Sequence, residues 1–250
     1  MLATGDETRI QLCGNLVARV GGRRIEGELP SRQGRLAFTF MVVNRLRPIG
    51  RDQLAGALWP VSPPALEATA LNAIISKLRR VLGADVLRGR GELRLSLPSD
   101  AFVDLEAARE AIHRAEAGVA RSDWTAAWGP SRVALHVARR GFLPGEDAPW
   151  IDEQRRLLGD IELRALECVA ESSLSLGASE LDSALRSGHD LVRIAPHRES
   201  GYRLLMRAQE SEGNVAEALR VYDDLRRRLR EDLGIAPGAA TQELYRRLLG

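Results

Sequence analysis

The sequence predicts a mainly α-helical chain in two parts, a small α+β module followed by an all-α helical array. Three observations carry this. Residues 66–97 read as one amphipathic helix that runs directly into an arginine-rich hairpin. Beyond Leu105 no alternating apolar pattern of strand length appears, while helical periodicity recurs between Gly and Pro breaks. Within that second part, Cys168, Leu181, Ala184 and Leu191 recur 34 positions later as Tyr202, Val215, Ala218 and Leu225.

The first part begins with loose apolar alternation from Arg9 to Val20, at Ile10, Leu12, Leu16, Val17 and Val20. Gly21-Gly22 marks a turn, and Arg23-Arg24-Ile25 with Glu28-Leu29 can pair back, giving a small antiparallel sheet. Ser31-Arg32-Gln33 opens a helix to about Leu46, with Leu36, Phe40 and Val43 on one face. Pro48 ends it, and Ile49 is expected to add a short strand residue. The next helix, Gln53 to Trp59, buries Leu54, Leu58 and Trp59. Pro60-Val61-Ser62-Pro63-Pro64 cannot be helical and forms a stiff loop.

After that loop comes the helix Leu66–Leu82. At 100° per residue, Leu71, Ile74, Ile75, Leu78, Val81 and Leu82 make one apolar stripe. The opposite arc carries Thr69, Asn72, Ala73, Ser76, Arg79 and Arg80, with Lys77 on the flank. Side chains this small, polar and basic can approach a DNA major groove and bond base edges or phosphates. Gly83 stops the helix. Val86-Leu87 and Leu93-Leu95-Leu97 then flank a turn at Gly89-Arg90-Gly91, so that Arg88 and Arg90 tip a hairpin. Sheet, helix, helix, loop, basic helix and hairpin is the order of a winged helix-turn-helix with an extra N-terminal sheet.

Charge placement agrees with that order. Residues 1–100 hold 15 basic and 9 acidic side chains, a net +6, and residues 101–250 hold 21 and 25, a net −4. A basic first part and a mildly acidic second part suit a nucleic-acid-binding module joined to a non-binding one. Lys77 is the single lysine against 35 arginines, so arginine carries meaning by position and not by number. Cys13 and Cys168 lie far apart with no CxxC or Cys/His spacing, which suggests neither a disulfide framework nor a zinc site. The N-terminal residues lack a signal-peptide pattern and no run approaches a membrane span. A cytoplasmic protein with no membrane partner is expected.

Pro98-Ser99-Asp100 reads as a hinge, dividing the chain into 1–98 and 99–250, and Ala101–Leu105 enters the helical region. Helices are expected at Leu105–Ala117, Trp124–Arg139, Trp150–Leu176, Glu180–Ile194, Glu199–Glu212, Val215–Leu229 and Gly238–Leu249. Thirty-four is the tetratricopeptide period, and the small Ala184 and Ala218 would let paired helices approach closely. The array is therefore tetratricopeptide-like, with a concave face of the kind that takes a peptide, a protein or a small ligand.

Two stretches also resemble a known family. Arg51-Asp52-Gln53-Leu54-Ala55 with Leu58-Trp59-Pro60, then Leu71 and Ile75-Ser76-Lys77-Leu78-Arg79-Arg80-Val81-Leu82-Gly83, resemble the OmpR-type DNA-binding domain of the actinobacterial AfsR/SARP activators. Phe142-Leu143-Pro144-Gly145, Pro149-Trp150, Glu153, Arg155, Leu157, Pro196-His197-Arg198-Glu199, Leu205-Met206, Glu217-Ala218-Leu219, Tyr222 and Glu231-Asp232-Leu233-Gly234-Ile235 with Pro237 resemble the bacterial transcriptional activator domain that follows it. Together they span roughly residues 9–249. One departure is Gly91-Glu92, where the family carries Gly-Tyr before the last wing strand.

The resemblance implies a transcriptional activator that binds promoter direct repeats head to tail, self-associating there, and recruits RNA polymerase holoenzyme. Thr69, Asn72, Ser76, Lys77, Arg79 and Arg80 would then enter the groove or hold its phosphates, with Arg88 and Arg90 reaching from the wing. The loop Pro60, Val61, Ser62, Pro63 and Pro64 would contact polymerase or its sigma factor, a rigid connector being the plainer role. No P-loop exists, and His113, His136, His189 and His197 are scattered without metal or catalytic spacing. Neither an enzyme nor a cofactor is expected. Glu92 and Ala73 motivate an alternative, an effector-sensing or scaffold protein centred on the array with weak or lost DNA binding.

Overall fold

The computed structural model describes residues 7–250. In chain order the elements are β1 (Arg9–Gln11), β2 (Val17–Val20), β3 (Arg23–Arg24), α1 (Ser31–Val43), β4 (Ile49–Gly50), α2 (Arg51–Leu58), α3 (Glu67–Leu82), β5 (Leu87–Arg88), β6 (Glu92–Leu95) and β7 (Phe102–Val103). Helices follow: α4 (Asp104–Ala120), α5 (Trp124–Ala138), α6 (Pro149–Leu176), α7 (Leu181–Ile194), α8 (Glu199–Ser211), α9 (Val215–Leu233) and α10 (Ala239–Leu249). The fold is a winged helix-turn-helix followed by a helical array. By contacts the chain divides into Met1–Ala107 with Arg140–Leu158, and Ala108–Arg139 with Gly159–Gly250. The division falls inside α4 and α6.

In the first unit, a four-stranded sheet has the order β3-β2-β1-β7. Arg9 faces Arg19 and Ile10 faces Ala18 across the antiparallel β1–β2 pair, which puts Ile10 and Ala18 on the buried side. A second sheet, order β4-β6-β5, aligns Ile49 with Leu93 and Leu87 with Leu95. These four are buried, and alternation turns Arg88, Glu92 and Arg94 outward. Helix α1 packs on both α2 and α3, and Leu36, Phe38, Met41, Leu54, Ile75 and Leu78 form the fully buried centre.

Three expectations for this unit are corrected. Glu28-Leu29 is not a strand: both N–H groups donate to the Ile25 carbonyl, at 2.9 and 3.2 Å, closing a turn. Helix α1 stops at Val43 because Asn44 turns back on it, its amide Nδ2 donating to the Phe40 carbonyl at 2.8 Å, and Leu46 beyond is exposed. Phe102–Val103 is a strand, not the start of a helix, and pairs in parallel with β1. Just after it, buried Asp104 accepts from the N–H groups of Leu12 (2.8 Å), Cys13 (3.0 Å) and Leu105 (2.8 Å). Burial pushes its carboxyl above the usual range even so.

The segment 140–158 belongs to this unit. Trp150 packs edge-on against Phe40 and Phe142, with centroids 5.2 and 5.9 Å apart, and its Nε1 donates to the Ala57 carbonyl at 3.2 Å. Arg155 donates to the carbonyls of Phe142, Leu143 and Glu146, at 3.2, 2.9 and 2.6 Å. Those bonds hold the Phe142–Gly145 turn, where Leu143 has a φ of 42°.

The second unit follows the 34-residue repeat. Ala184 and Ala218 are fully buried, as are Leu191 and Leu225, and Cys168 and Tyr202 are nearly so. Leu181 is half-buried and Val215 exposed, so that pair lies at the edge of the packing. A Cβ on Gly201 would stand 2.8 Å from the Leu191 Cβ, so glycine is what lets α7 and α8 approach this closely. Tyr222 stacks on Tyr245 at 4.0 Å in the cluster that joins α8, α9 and α10. Glu199 accepts from the Gly238 N–H at 2.9 Å and from the Thr241 hydroxyl, capping α10 from the neighbouring repeat. Burial pushes the Cys168 thiol up to about 12, which leaves it without thiolate reactivity.

Candidate nucleic-acid interface

Helix α3 buries Leu71, Ile75, Leu78 and Leu82, while Ile74 and Val81 lie half-buried at the edges of the stripe. The opposite face is open: Thr69, Asn72, Ala73, Ser76, Lys77 and Arg80 are exposed. Glu67 stands in its first turn and Arg79 and Arg80 in its last, the arrangement that the helix dipole favours. The Gly83 N–H closes the helix on the Arg79 carbonyl at 2.9 Å. On the far side, the Arg23 guanidinium donates to the Val81 carbonyl and ties β3 to the end of α3.

The wing folds back onto this helix. Arg79, half-buried, donates through Nε to the Leu87 carbonyl at 3.3 Å and through Nη2 to the Gly89 carbonyl. Its guanidinium is thus committed to the hairpin. At Gly89 φ is 90°, and a Cβ would stand 1.9 Å from the Glu92 carbonyl oxygen, so the turn admits only glycine. Arg88 donates to the Asp85 carbonyl at 2.8 Å. Arg90 is exposed and its backbone carbonyl accepts from Arg51 Nη1 at 3.2 Å. Glu92, at the family's tyrosine position, is exposed and pairs with Gly50 across the sheet. Two arginine clamps, from Arg79 and Arg51, hold this wing by its carbonyls.

The structure therefore joins Asn72 and Arg79 to the wing backbone near Gly89 and Arg90, turns Arg88 to Asp85, and leaves Thr69, Ser76, Lys77 and Arg80 open along the helix. Two residues escape a reading by helical wheel. Arg94 stands opposite Arg88 on the outer face of the wing, where strand alternation could have placed it. Arg51 bonds both Arg90 and Asn72, contacts across 39 and 21 residues that no local pattern reveals. In the preceding loop Pro60, Val61, Ser62 and Pro63 are exposed and Pro64 half-buried, with Val61 88% and the adjoining Leu66 71% exposed.

Among the described residues, no group of three or more His, Cys, Asp or Glu side chains could hold a metal ion. No helix among them is long and apolar enough to cross a membrane.

An outward polar helix clamped to an arginine-bearing hairpin, with helical repeats after it, defines a winged-helix protein with a helical array. Comparison with known proteins gives the family. The bacterial transcriptional activator domain matches residues 103–249, and the chain belongs to that family. The regulatory protein AfsR of Streptomyces griseus is 30% identical over 99% of this chain and 25% of its own length. DnrI of Streptomyces peucetius, also a regulatory protein, is 29% identical over 96% of this chain and 92% of DnrI. The structure titled Mycobacterium tuberculosis EmbR in complex with low affinity phosphopeptide matches with a TM-score of 0.82 at 25% identity, over 97% of this chain and 65% of that one. These likenesses are to regulators of the AfsR/SARP type. It spans about a quarter of the length of AfsR.

Proposed function

We propose that this chain regulates transcription, as an activator, by binding promoter DNA through residues 1–98 and acting on the transcription machinery through residues 99–250. The observation that carries the reading is the open face of α3 joined to the wing. Thr69, Asn72, Ser76, Lys77 and Arg80 point away from the core beside Arg88, Arg90 and Arg94. The names of the relatives support the regulatory role. The winged helices bind direct repeats head to tail and self-associate there. The loop Pro60–Pro64, with Val61 bare within it and Leu66 bare just beyond it, contacts RNA polymerase holoenzyme.

Binding anisotropy against promoter fragments, run across a salt series, tests the reading. Lys77→Ala and Arg80→Ala each weaken binding on every sequence and lower the slope of log K against log salt by about one. Salt-independent binding, or a slope that neither variant changes, contradicts it.

A second reading rests on a groove of about 500 Å³ between α6, α8 and α10, lined by Glu171, Arg203, Leu204, Arg207 and Leu244 among others. It is the place on the array for a small ligand or peptide that would modulate the regulator.

A further inference from the structure

Arg51 stands at the first position of α2, the end of a helix where the backbone dipole favours negative charge. Its guanidinium is spread over two other elements. Nη1 donates to the Arg90 carbonyl in the wing at 3.2 Å, and Nη2 donates to the Asn72 side-chain oxygen on α3 at 2.5 Å. A guanidinium has donors and no acceptor, so this contact decides which way the Asn72 amide turns: oxygen toward Arg51, NH₂ toward solvent. Asn72 lies in the first half of α3, on its exposed face, where a recognition helix meets base edges.

We propose that Arg51 is a specificity-determining positioning residue that makes Asn72 a hydrogen-bond donor toward DNA. The inference rests on the DNA-binding reading above and adds to it a base preference. An asparagine reads adenine with both ends of its amide, donating to N7 and accepting from the N6 amino group. With its oxygen engaged by Arg51, Asn72 matches an edge that only accepts, and guanine offers O6 and N7, both acceptors. Guanine is therefore favoured over adenine at the base that Asn72 meets. The bond to Arg90 ties this orientation to the position of the wing.

The test uses the full chain on the promoter fragment it protects in footprinting. Each base pair of a half-site is exchanged in turn, and dissociation constants are measured for wild type, Asn72→Ala, Arg51→Ala and Arg51→Lys, with a thermal melt of each variant. Wild type favours guanine over adenine by about tenfold at one position. Asn72→Ala abolishes the preference there, and Arg51→Ala abolishes or reverses it at that same position while discrimination elsewhere stays. Arg51→Lys, whose ammonium also donates to an oxygen, retains most of it. An unchanged guanine-to-adenine ratio in Arg51→Ala, or an Asn72→Ala variant that alters discrimination nowhere, overturns the inference and leaves DNA binding standing. A wild type that protects no fragment overturns the DNA-binding reading, and this inference with it.

Discussion

Lys77 and Arg79 lie two positions apart on α3, carry the same charge and do different things. The Lys77 side chain extends from the exposed face, while the Arg79 guanidinium is spent on the Leu87 and Gly89 carbonyls of the wing. Hydrogen bonds from a charged group to carbonyls it partly shields contribute about 1–2 kcal/mol each when intact. Arg79→Ala therefore lowers folding stability by about 1 kcal/mol or more in a denaturant melt and loosens the hairpin, whereas Lys77→Ala leaves the melt unchanged. Equal melts for the two variants would show that Arg79 holds nothing. A helical wheel places Arg79 on the outer arc and Lys77 on its flank and cannot separate their roles, because it sees angle along one helix and not the hairpin that returns onto it. Arg51 is hidden for the same reason. Its partners lie 21 and 39 residues away, and only the folded chain brings them together.

At the scale of elements, what the sequence shows well is local. The apolar stripe of α3, the glycine turn of the wing and the breaks between helices all depend on neighbours a few residues apart. So the helices of the array stand within a few residues of where periodicity puts them. Strand β7 is the counterexample: two residues, Phe102 and Val103, gain their structure from β1 some ninety positions earlier. Ion pairs between helices are equally silent in the sequence. Glu116 on α4 accepts from the Arg164 guanidinium of α6, through Oε1 at 2.7 Å and Oε2 at 2.5 Å. That bidentate contact holds the Glu116 carboxyl below its usual range. A carboxyl whose pKa falls on folding stabilises the fold above its unfolded value of about 4.3, and this contribution is lost as pH falls through the lower folded value. Glu116 is partly exposed, so solvent screening keeps the effect to about 1 kcal/mol or less. Melts of wild type and Glu116→Gln at pH 7 and in the acid range check this. The gap between them closes as pH drops below about 4, and a gap independent of pH contradicts the assignment.

For the whole molecule, the informative feature is the combination. Winged helices and helical repeats each serve many functions, and the fold alone names none of them. The basic first hundred residues, with the acidic remainder, are what point to a nucleic-acid module, and the 34-residue repeat made the array legible. Contacts group residues 140–158 with the N-terminal unit, through Trp150 on Phe40 and Ala57 and through backbone bonds from the Gly14 N–H to the Gly141 carbonyl and from the Leu143 N–H to the Leu12 carbonyl. Composition cannot show this, since that segment reads only as a Gly/Pro break and the start of the next helix. The central claim, that the chain is a promoter-binding regulator, meets its most direct test in footprinting. The full chain is incubated with DNA from upstream of its own gene and the neighbouring genes, beside the Lys77→Ala/Arg80→Ala variant. The account predicts protection over direct repeats by wild type that the double variant loses. Absence of a sequence-specific footprint at low salt, or one that the variant reproduces in full, would contradict it.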